Sequence, residues 1–179
     1  MYRLFVAIRP PLHVREQLLA LMGGVAGVRW QTDDQLHITL RFIGEVDRHT
    51  GSDIAAALGS VRHPPFEVFL RGIGTFGRRG QAGVLWAGLA PQEPLKALHK
   101  KVDHACVRAG VAPEGRAYHP HITLARLKRG SGTLEGVAET YAGLTSPPFL
   151  IDSLTLFEST LTPDGAVYAP VERYRLRQF

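Results

Sequence analysis

The chain has 179 residues, of which 45% are hydrophobic and 21% charged, and its formal net charge is +5 at pH 7. These values are typical of one globular domain, or of two small lobes that share a core, and they exclude a chain too polar to fold. No apolar run approaches the roughly 18 residues of a membrane span, and the N-terminus lacks the cleavage pattern of a signal peptide. The one cysteine, Cys106, excludes an internal disulfide. We interpret it as a small core residue and expect a cytoplasmic protein.

Short strands and helices alternate along the chain. In the first half the patterns predict strands at residues 2–8, 28–30, 37–42, 66–71 and 84–89, and helices at 11–23 and 47–61. In the second half they predict helices at 94–110 and 134–144, and strands at 118–127, 149–161 and 167–176. Residues 72–80 are predicted to be a glycine-rich loop that contains Arg78 and Arg79. The two halves follow a similar order, and their frequent hairpins favour an α+β fold with largely antiparallel sheets.

One tetrapeptide occurs twice. Residues 37–40 and residues 121–124 both spell HITL, 84 positions apart. At average residue usage, such a recurrence in so short a chain has a chance on the order of one in a thousand. Residues i and i+2 of a strand share a face, so each copy predicts His and Thr on one face, with Ile and Leu in a core. An arginine follows each copy within two residues (Arg41 and Arg126).

Two histidines and two threonines that face each other have a definite chemical capacity. Histidine titrates near neutrality, so one imidazole can accept a proton while the other, when charged, donates one. A threonine hydroxyl can donate a hydrogen bond to a phosphate oxygen, and an arginine can balance the phosphate charge. The set therefore indicates in-line displacement at phosphorus. A carbonyl reaction would require a nucleophile, and the sequence contains neither a GxSxG motif nor an evident Cys–His pairing.

Two other interpretations of the same residues stay open at this point. A His-x-Thr segment in a strand is often purely structural, although two matched copies make that interpretation weaker. A metal site is the second alternative, since His119 and His121 share a strand face and His37 could join them. Pro120 and the threonines fit a ligand cluster poorly, and no carboxylate accompanies either copy closely.

The segments RWQTDDQLHITLRFIGEV and YHPHITLAR, with the opening YRLFVAIRP and the closing YRL, carry a resemblance that spans nearly the whole chain. They resemble the RNA 2′,3′-cyclic phosphodiesterases of the 2H phosphoesterase superfamily, which are also called 2′-5′ RNA ligases. The resemblance implies a single domain over residues 1–179, made of two intertwined lobes. These lobes would be pseudo-symmetric halves, each with a mainly antiparallel sheet and helices outside, and the active-site cleft would lie between them.

The resemblance also implies hydrolysis of a 2′,3′-cyclic phosphate end to a 2′-phosphomonoester, without a metal or another cofactor. By position, His37 resembles the proton donor to the leaving 3′-oxygen, and His121 resembles the base that activates water. Thr39 and Thr123 would hold the phosphate, and Arg126 would add positive charge there. The nearly symmetric pattern does not itself assign acid and base.

Four aromatic residues have less certain places. Phe42 and Phe76 are candidates for stacking on a base, with core packing as the alternative, whereas Trp30 and Trp86 are expected in the core. The expected partners are RNA 3′ ends or small 2′,3′-cyclic nucleotides, with no membrane and no obligate protein partner. Two rival functions remain: ATP-independent 2′-5′ RNA ligation in the same site, and non-catalytic binding of a nucleotide or RNA. The presence of both histidines argues against the second rival.

Overall fold

A mainly antiparallel sheet of nine strands forms the frame of the computed structural model, which describes residues 1–77, 83–127 and 135–179. The strands are β1 Tyr2–Ile8, β2 Val28–Trp30, β3 Ile38–Val46, β4 Phe66–Phe76, β5 Gly83–Ala90, β6 His121–Leu127, β7 Phe149–Ile151, β8 Ser153–Thr162 and β9 Gly165–Arg175. The helices are α1 Leu12–Ala20, α2 Arg48–Leu58, α3 Glu93–Arg108 and α4 Glu135–Thr140, and a short 3₁₀ turn spans Asp33–Gln35. Within these ranges no helix combines the length and apolarity needed to cross a membrane.

The sheet consists of two halves with the same arrangement. Its strand order is β7-β4-β5-β6-β3-β1-β8-β9, with β2 paired to β6 outside this path. The three strands outward from β3 therefore match the three strands outward from β6, and neighbouring strands in both sets are antiparallel. Between β3 and β6 the register contains a single pair, Ile38 with Ile122. The predicted α+β fold with two similar halves is confirmed, and the two halves of the sheet are continuous through this one pair.

The core lies on the face of the sheet that the helices cover. Helix α2 contacts β1 and α3, α3 also contacts β3, and α4 contacts β4. Buried apolar side chains from both halves form one large cluster. Cys106 of α3 is fully buried in it, as predicted, and burial raises the pKa of its thiol to about 11. The thiol therefore stays protonated and serves as a small apolar group.

Helix α2 begins where its sequence provides a cap. The Asp47 side chain accepts a hydrogen bond of 2.7 Å from the backbone N–H of Thr50. Such a cap satisfies one of the amide donors that the first turn of a helix leaves unpaired. The helix ends at Leu58, three residues before the predicted end at 61.

The predicted loop at 72–80 is wrong for residues 72–76, because β4 continues to Phe76. Gly74 pairs with Trp86 on β5, and a Cβ on Gly74 would overlap the Trp86 ring. The glycine therefore makes room for a cross-strand aromatic side chain within a strand. Trp86 is only partly buried, since Leu85 and Ala87 take the core face on either side. Arg78 and Arg79 lie outside the described residues.

The long strand predicted at 149–161 is in fact two strands that belong to different halves. β7 pairs with β4, whereas β8 pairs with β1 and β9. The break at Asp152 is the point where the chain passes from one half to the other. The polar pair Asp152-Ser153 lies at this break, but strand-like residues on both sides of it predicted one strand, and the sequence does not reveal the change of partner.

Candidate active site

The two HITL segments meet at the centre of the sheet. Ile38 and Ile122 are fully buried opposite each other, and Leu40 and Leu124 are also in the core. The histidine and threonine side chains of both motifs, which alternate with these apolar residues, are only partly buried. This confirms the predicted alternation. The antiparallel register around the Ile38–Ile122 pair sets His37 across from Thr123 and Thr39 across from His121. Both imidazoles line one cleft, whose volume of about 790 Å³ is large enough for a phosphate group.

Both imidazoles are oriented in the same way. Nδ1 of His37 lies 2.7 Å from the carbonyl oxygen of Gln35, and Nδ1 of His121 lies 2.6 Å from the carbonyl oxygen of His119. A carbonyl can only accept, so Nδ1 carries the hydrogen and donates in each ring. Nε2 is therefore the nitrogen left to exchange a proton with a ligand.

Burial keeps both rings neutral in the free protein. Desolvation, together with the nearby His121, Arg126 and Arg9, lowers the pKa of His37 to about 4. The pKa of His121 is also lowered, mainly by burial and then by His119 and Arg126. A bound anion would oppose these effects and raise both pKa values, because it stabilises an imidazolium.

Each histidine is packed against aromatic rings. Beside His37 lie the rings of Phe5 and Tyr168, with centroids 5.1 and 5.3 Å away. Beside His121 lie Phe76 at 5.0 Å and Trp86 at 6.2 Å. The candidate Phe76 thus lies against the histidine of the second motif. Tyr168 comes from β9, at the far end of the chain, and sequence reasoning missed it because nothing local links it to His37.

The same β-bulge follows both motifs. In the β1–β3 register Val6 faces Arg41 and Ala7 faces Thr39, which leaves Leu40 without a partner. In the β5–β6 register Leu85 faces Ala125 and Trp86 faces Thr123, which leaves Leu124 without one. The extra residue shifts the alternation of side chains by one position.

After the bulge, the fifth residue beyond each histidine faces the cleft. This residue is Phe42 in the first motif and Arg126 in the second, and the Phe42 side chain is 41% exposed. The same shift buries the residue before this one, which is the fourth residue beyond each histidine. Strict alternation would have placed Phe42 in the core, which was the competing expectation for this residue.

The two arginines that follow the motifs are consequently not equivalent. Arg41 is buried on the core side, where its Nε donates a 2.7 Å hydrogen bond to Asp103 and its guanidinium also donates to the carbonyl of Ala112. Asp103 in turn accepts from the backbone N–H of Glu114. Arg41 therefore fastens the segment before the second motif to β3 and α3, whereas Arg126 takes part in the cleft.

The cleft around the motifs is strongly basic. It has a volume of about 790 Å³ and is lined by both histidines, both threonines, Phe42 and four arginines, namely Arg3, Arg29, Arg116 and Arg126. Within the described residues, its lining contains no aspartate or glutamate. The Arg3 guanidinium lies 5.1 Å from the centroid of the Phe42 ring. Such a cleft attracts anions.

A smaller pocket of about 360 Å³ adjoins this cleft on the His121 side. It shares Thr39, Phe42, Arg116 and His121 with the cleft and adds Phe76. Six of the seven residues selected from the sequence thus line the main cleft, and Phe76 lines the adjoining pocket. The group His37, His119 and His121, considered above for a metal, is not assembled as a ligand set, and no other set of three His, Cys, Asp or Glu lies close together in the described part of the chain.

The chain is similar to known proteins over most of its length. A model of the 2′-5′ RNA ligase superfamily matches residues 10–162. The chain belongs to this superfamily. It is 34% identical over 139 residues to the RNA 2′,3′-cyclic phosphodiesterase of Aeropyrum pernix, an alignment that covers 76% of this chain and 79% of that protein. The similarity to enzymes of that name shows that this superfamily member is an enzyme, a hydrolase of the cyclic phosphodiesterase type.

Solved structures of superfamily members have the same fold. E. coli LigT complexed with 3′-AMP is 30% identical, with a TM-score of 0.76 and coverage of 98% of both chains. The protein TT0787 of Thermus thermophilus is 27% identical, with a TM-score of 0.81 and coverage of 98% of both chains. The similarity extends over nearly the whole chain and so includes both halves of the sheet.

Proposed function

We propose that this superfamily member hydrolyses 2′,3′-cyclic phosphate ends of RNA or nucleotides to 2′-phosphomonoesters, with residues 1–179 acting as one domain. The observation that carries the proposal is the pairing of two His-x-Thr motifs across the Ile38–Ile122 pair, inside a cleft whose charged lining is arginine. The names of the relatives support the choice of substrate, and the 3′-AMP complex of LigT supports a nucleotide ligand.

The proposed reaction is an in-line displacement with two proton transfers. Nε2 of His121 removes a proton from water, and the water oxygen attacks the phosphorus of the cyclic diester. The bond between phosphorus and the 3′-oxygen breaks, and that oxygen takes a proton from Nε2 of His37. The product has a 2′-phosphate and a 3′-hydroxyl. Each such transfer contributes typically ~10²–10⁴-fold to the rate.

Hydroxyl and guanidinium groups stabilise the charge that develops on the phosphate. Thr39 and Thr123 donate hydrogen bonds to the non-bridging oxygens, and Arg126 supplies positive charge from the next exposed position on β6. No step requires a metal ion, since general acid, general base and charge stabilisation are all present as side chains.

The histidine pair takes up the proton that the reaction needs when the substrate binds. Both imidazoles are neutral in the free protein, since burial lowers both pKa values. A bound phosphate monoanion raises them, and the pair then takes up one proton. The assignment of His37 as the donor rests on its position in the first motif, because lowered pKa values in both rings do not distinguish acid from base.

The base of the terminal nucleotide would occupy the smaller pocket. Phe42 and Phe76 border this pocket with side chains that are 41% and 38% exposed. Both lie near His121, the residue proposed to deprotonate water. Exposed rings at that position can stack on a base without recognising its identity. We infer that both rings contribute to substrate affinity and not to the proton transfers.

A defined cyclic substrate tests the proposal. A dinucleotide with a 2′,3′-cyclic phosphate end should yield only the 2′-phosphate, as resolved by phosphorus NMR, in the presence of EDTA. His37→Ala and His121→Ala should each lose at least about 100-fold in kcat. His13→Ala, a change of an exposed helical histidine, is the matched control. Persistent activity in both variants would refute the mechanism, and loss of activity with EDTA would favour a metal.

The 2′-5′ ligation reaction is a second candidate, because the matched family bears that name. A 5′-hydroxyl would replace water as the nucleophile, and the same P–O3′ bond would break without ATP. Supplying a 5′-hydroxyl RNA beside the cyclic end and quantifying both products would show which reaction dominates. Tight nucleotide binding without turnover of any cyclic phosphate would instead support the non-catalytic alternative.

A further inference from the structure

Two arginines of the cleft face each other on neighbouring strands. In the antiparallel pairing of β2 with β6, Arg29 is directly opposite Arg126. Both side chains line the same cleft, whereas Ala125 and Leu127, the neighbours of Arg126 on β6, do not line it. The register thus places two arginines opposite each other on neighbouring strands, and both side chains line the cleft.

Such a pair is unfavourable unless an anion lies between or beside the charges. Like charges directly opposite in an antiparallel pair are destabilising. Within the described residues, no carboxylate lines this cleft, and neither Arg29 nor Arg126 forms an ion pair or side-chain hydrogen bond. One arginine is sufficient to balance a single reacting phosphate, so the second charge has no counterpart in the proposed chemistry.

The head of Arg29 has a defined location. It lies at the tip of the β8–β9 hairpin, where a Cβ on Gly165 would come within 2.8 Å of its Nη2 atom. The tip is itself held in place, since Gln35 Nε2 donates to the carbonyl of Ala166 at 2.9 Å and Thr162 Oγ1 donates to that of Gly165 at 2.7 Å. A glycine at 165, with φ of +122°, therefore leaves room for the guanidinium against an ordered turn.

We propose that Arg29, beside the tip of the β8–β9 hairpin, is a second anion subsite, which binds the phosphodiester that precedes the terminal nucleotide. The inference rests on the proposed function and deepens it: the preferred substrate is the end of an oligonucleotide. A cyclic mononucleotide has one phosphate, which Arg126 and the threonines hold, and it leaves Arg29 without a partner. A dinucleotide end supplies the second phosphate and relieves the repulsion between the two arginines.

The test compares two substrates that differ by one phosphodiester. The first is a nucleoside 2′,3′-cyclic monophosphate, and the second is a dinucleotide that ends in the same cyclic nucleotide. Wild-type protein should favour the dinucleotide in kcat/KM. Arg29→Gln should lower that preference about tenfold, mainly through KM. When log(kcat/KM) for the dinucleotide is plotted against the logarithm of the salt concentration, Arg29→Gln should also make the slope less steep by about 0.7. This is the value for one phosphate contact on a single strand.

Arg48→Gln provides the matched control, because Arg48 is an exposed arginine of α2 outside the cleft. This variant loses the same charge and should keep the wild-type preference. Equal losses on both substrates in Arg29→Gln would overturn the inference, since they would assign Arg29 to the reacting phosphate. An unchanged preference would also overturn it.

Equilibrium binding separates the subsite from the catalytic proposal. Calorimetric titration with a nucleoside 2′-phosphate and with the corresponding dinucleotide 2′-phosphate requires no turnover. The dinucleotide should bind more tightly to the wild type, and Arg29→Gln should remove about tenfold of that advantage. If neither cyclic substrate is hydrolysed but this difference in binding is present, the proposed hydrolysis fails and the subsite stands. Equal affinities for both ligands would refute the subsite.

Discussion

The buried imidazole of His37 should make the protein lose stability in mild acid. Its pKa in the folded protein is about 4, because burial disfavours the charged ring, whereas an unfolded histidine has a pKa near 6.5. The folded state therefore binds this proton more weakly than the unfolded state, and a fall in pH favours unfolding. The loss should begin near pH 6.5 and be complete below about pH 4, and it should be absent at neutral pH.

The size of the effect follows from the two pKa values. At about 1.4 kcal/mol per pH unit, the difference between 6.5 and about 4 corresponds to a loss of about 3.5 kcal/mol in the free energy of unfolding, of which about 3 kcal/mol has occurred by pH 4. This is a substantial fraction of the 5–15 kcal/mol that is typical of a folded domain, roughly a quarter to two thirds. His37→Gln keeps a polar side chain of similar size but has no proton to bind in this range.

Urea unfolding at a series of pH values between 7.5 and 4 measures the effect. The wild type should lose about 3 kcal/mol more than His37→Gln over that interval. His13→Gln, which removes an exposed helical histidine, should follow the wild type. Identical pH profiles for the wild type and His37→Gln would refute the reasoning, because they would mean that the ring titrates alike in both states. A bound phosphate analogue should reduce the loss, since it raises the folded-state pKa.

Three further predictions concern the cleft and its support. The pH profile of kcat/KM should be bell-shaped, and its two limbs should report the coupled His37–His121 pair and not one residue alone. Arg41→Met should lower the free energy of unfolding in urea by about 3 kcal/mol, because Asp103 loses its partner in a largely buried position. Phe42→Leu should raise KM for a cyclic substrate by roughly fivefold at constant kcat, which corresponds to about 1 kcal/mol of lost stacking on a base.

Each of these predictions has an outcome that contradicts it. A single-limbed profile would mean that only one histidine takes part in proton transfer. An Arg41→Met protein as stable as Arg48→Gln would mean that the ion pair with Asp103 adds no net stability. A fall in kcat with constant KM in Phe42→Leu would indicate that the ring orients the reacting groups instead of binding a base.

The sequence predicted the centre of the site because a local rule governs it. Alternation along a strand determines that His37 and Thr39 share a face, and the burial of Ile38 and Leu40 confirms it. The rule stops applying at the β-bulge formed by Leu40, so it fails for the residues that follow. Without knowledge of the β1–β3 register, Arg41 would be assigned to the cleft and Phe42 to the core, and the structure shows the reverse.

Other members of the cleft depend on contacts between distant segments. Tyr168 reaches His37 from β9, and Arg29 meets Arg126 only through the pairing of β2 with β6. No local pattern specifies which strands become neighbours, so these residues could not be selected from the sequence. Gly74 is a related case: its place within a strand depends on the Trp86 ring of the adjacent strand.

The single pair Ile38–Ile122 has a mechanical consequence for the cleft. At the level of the sheet it is the one rung of the ladder between the two halves in the described residues, and each half contributes one imidazole and one hydroxyl. The hydrogen bonds that orient the rings lie within each half, from His37 to Gln35 and from His121 to His119. The separation of acid and base therefore depends on the contacts between the halves, which besides this rung include the hydrogen bond from Tyr118 to the carbonyl oxygen of Thr39 and the ion pair of Arg41 with Asp103. The two isoleucines, which have no reactive group, thus belong to the contacts that determine the distance over which a proton must be passed.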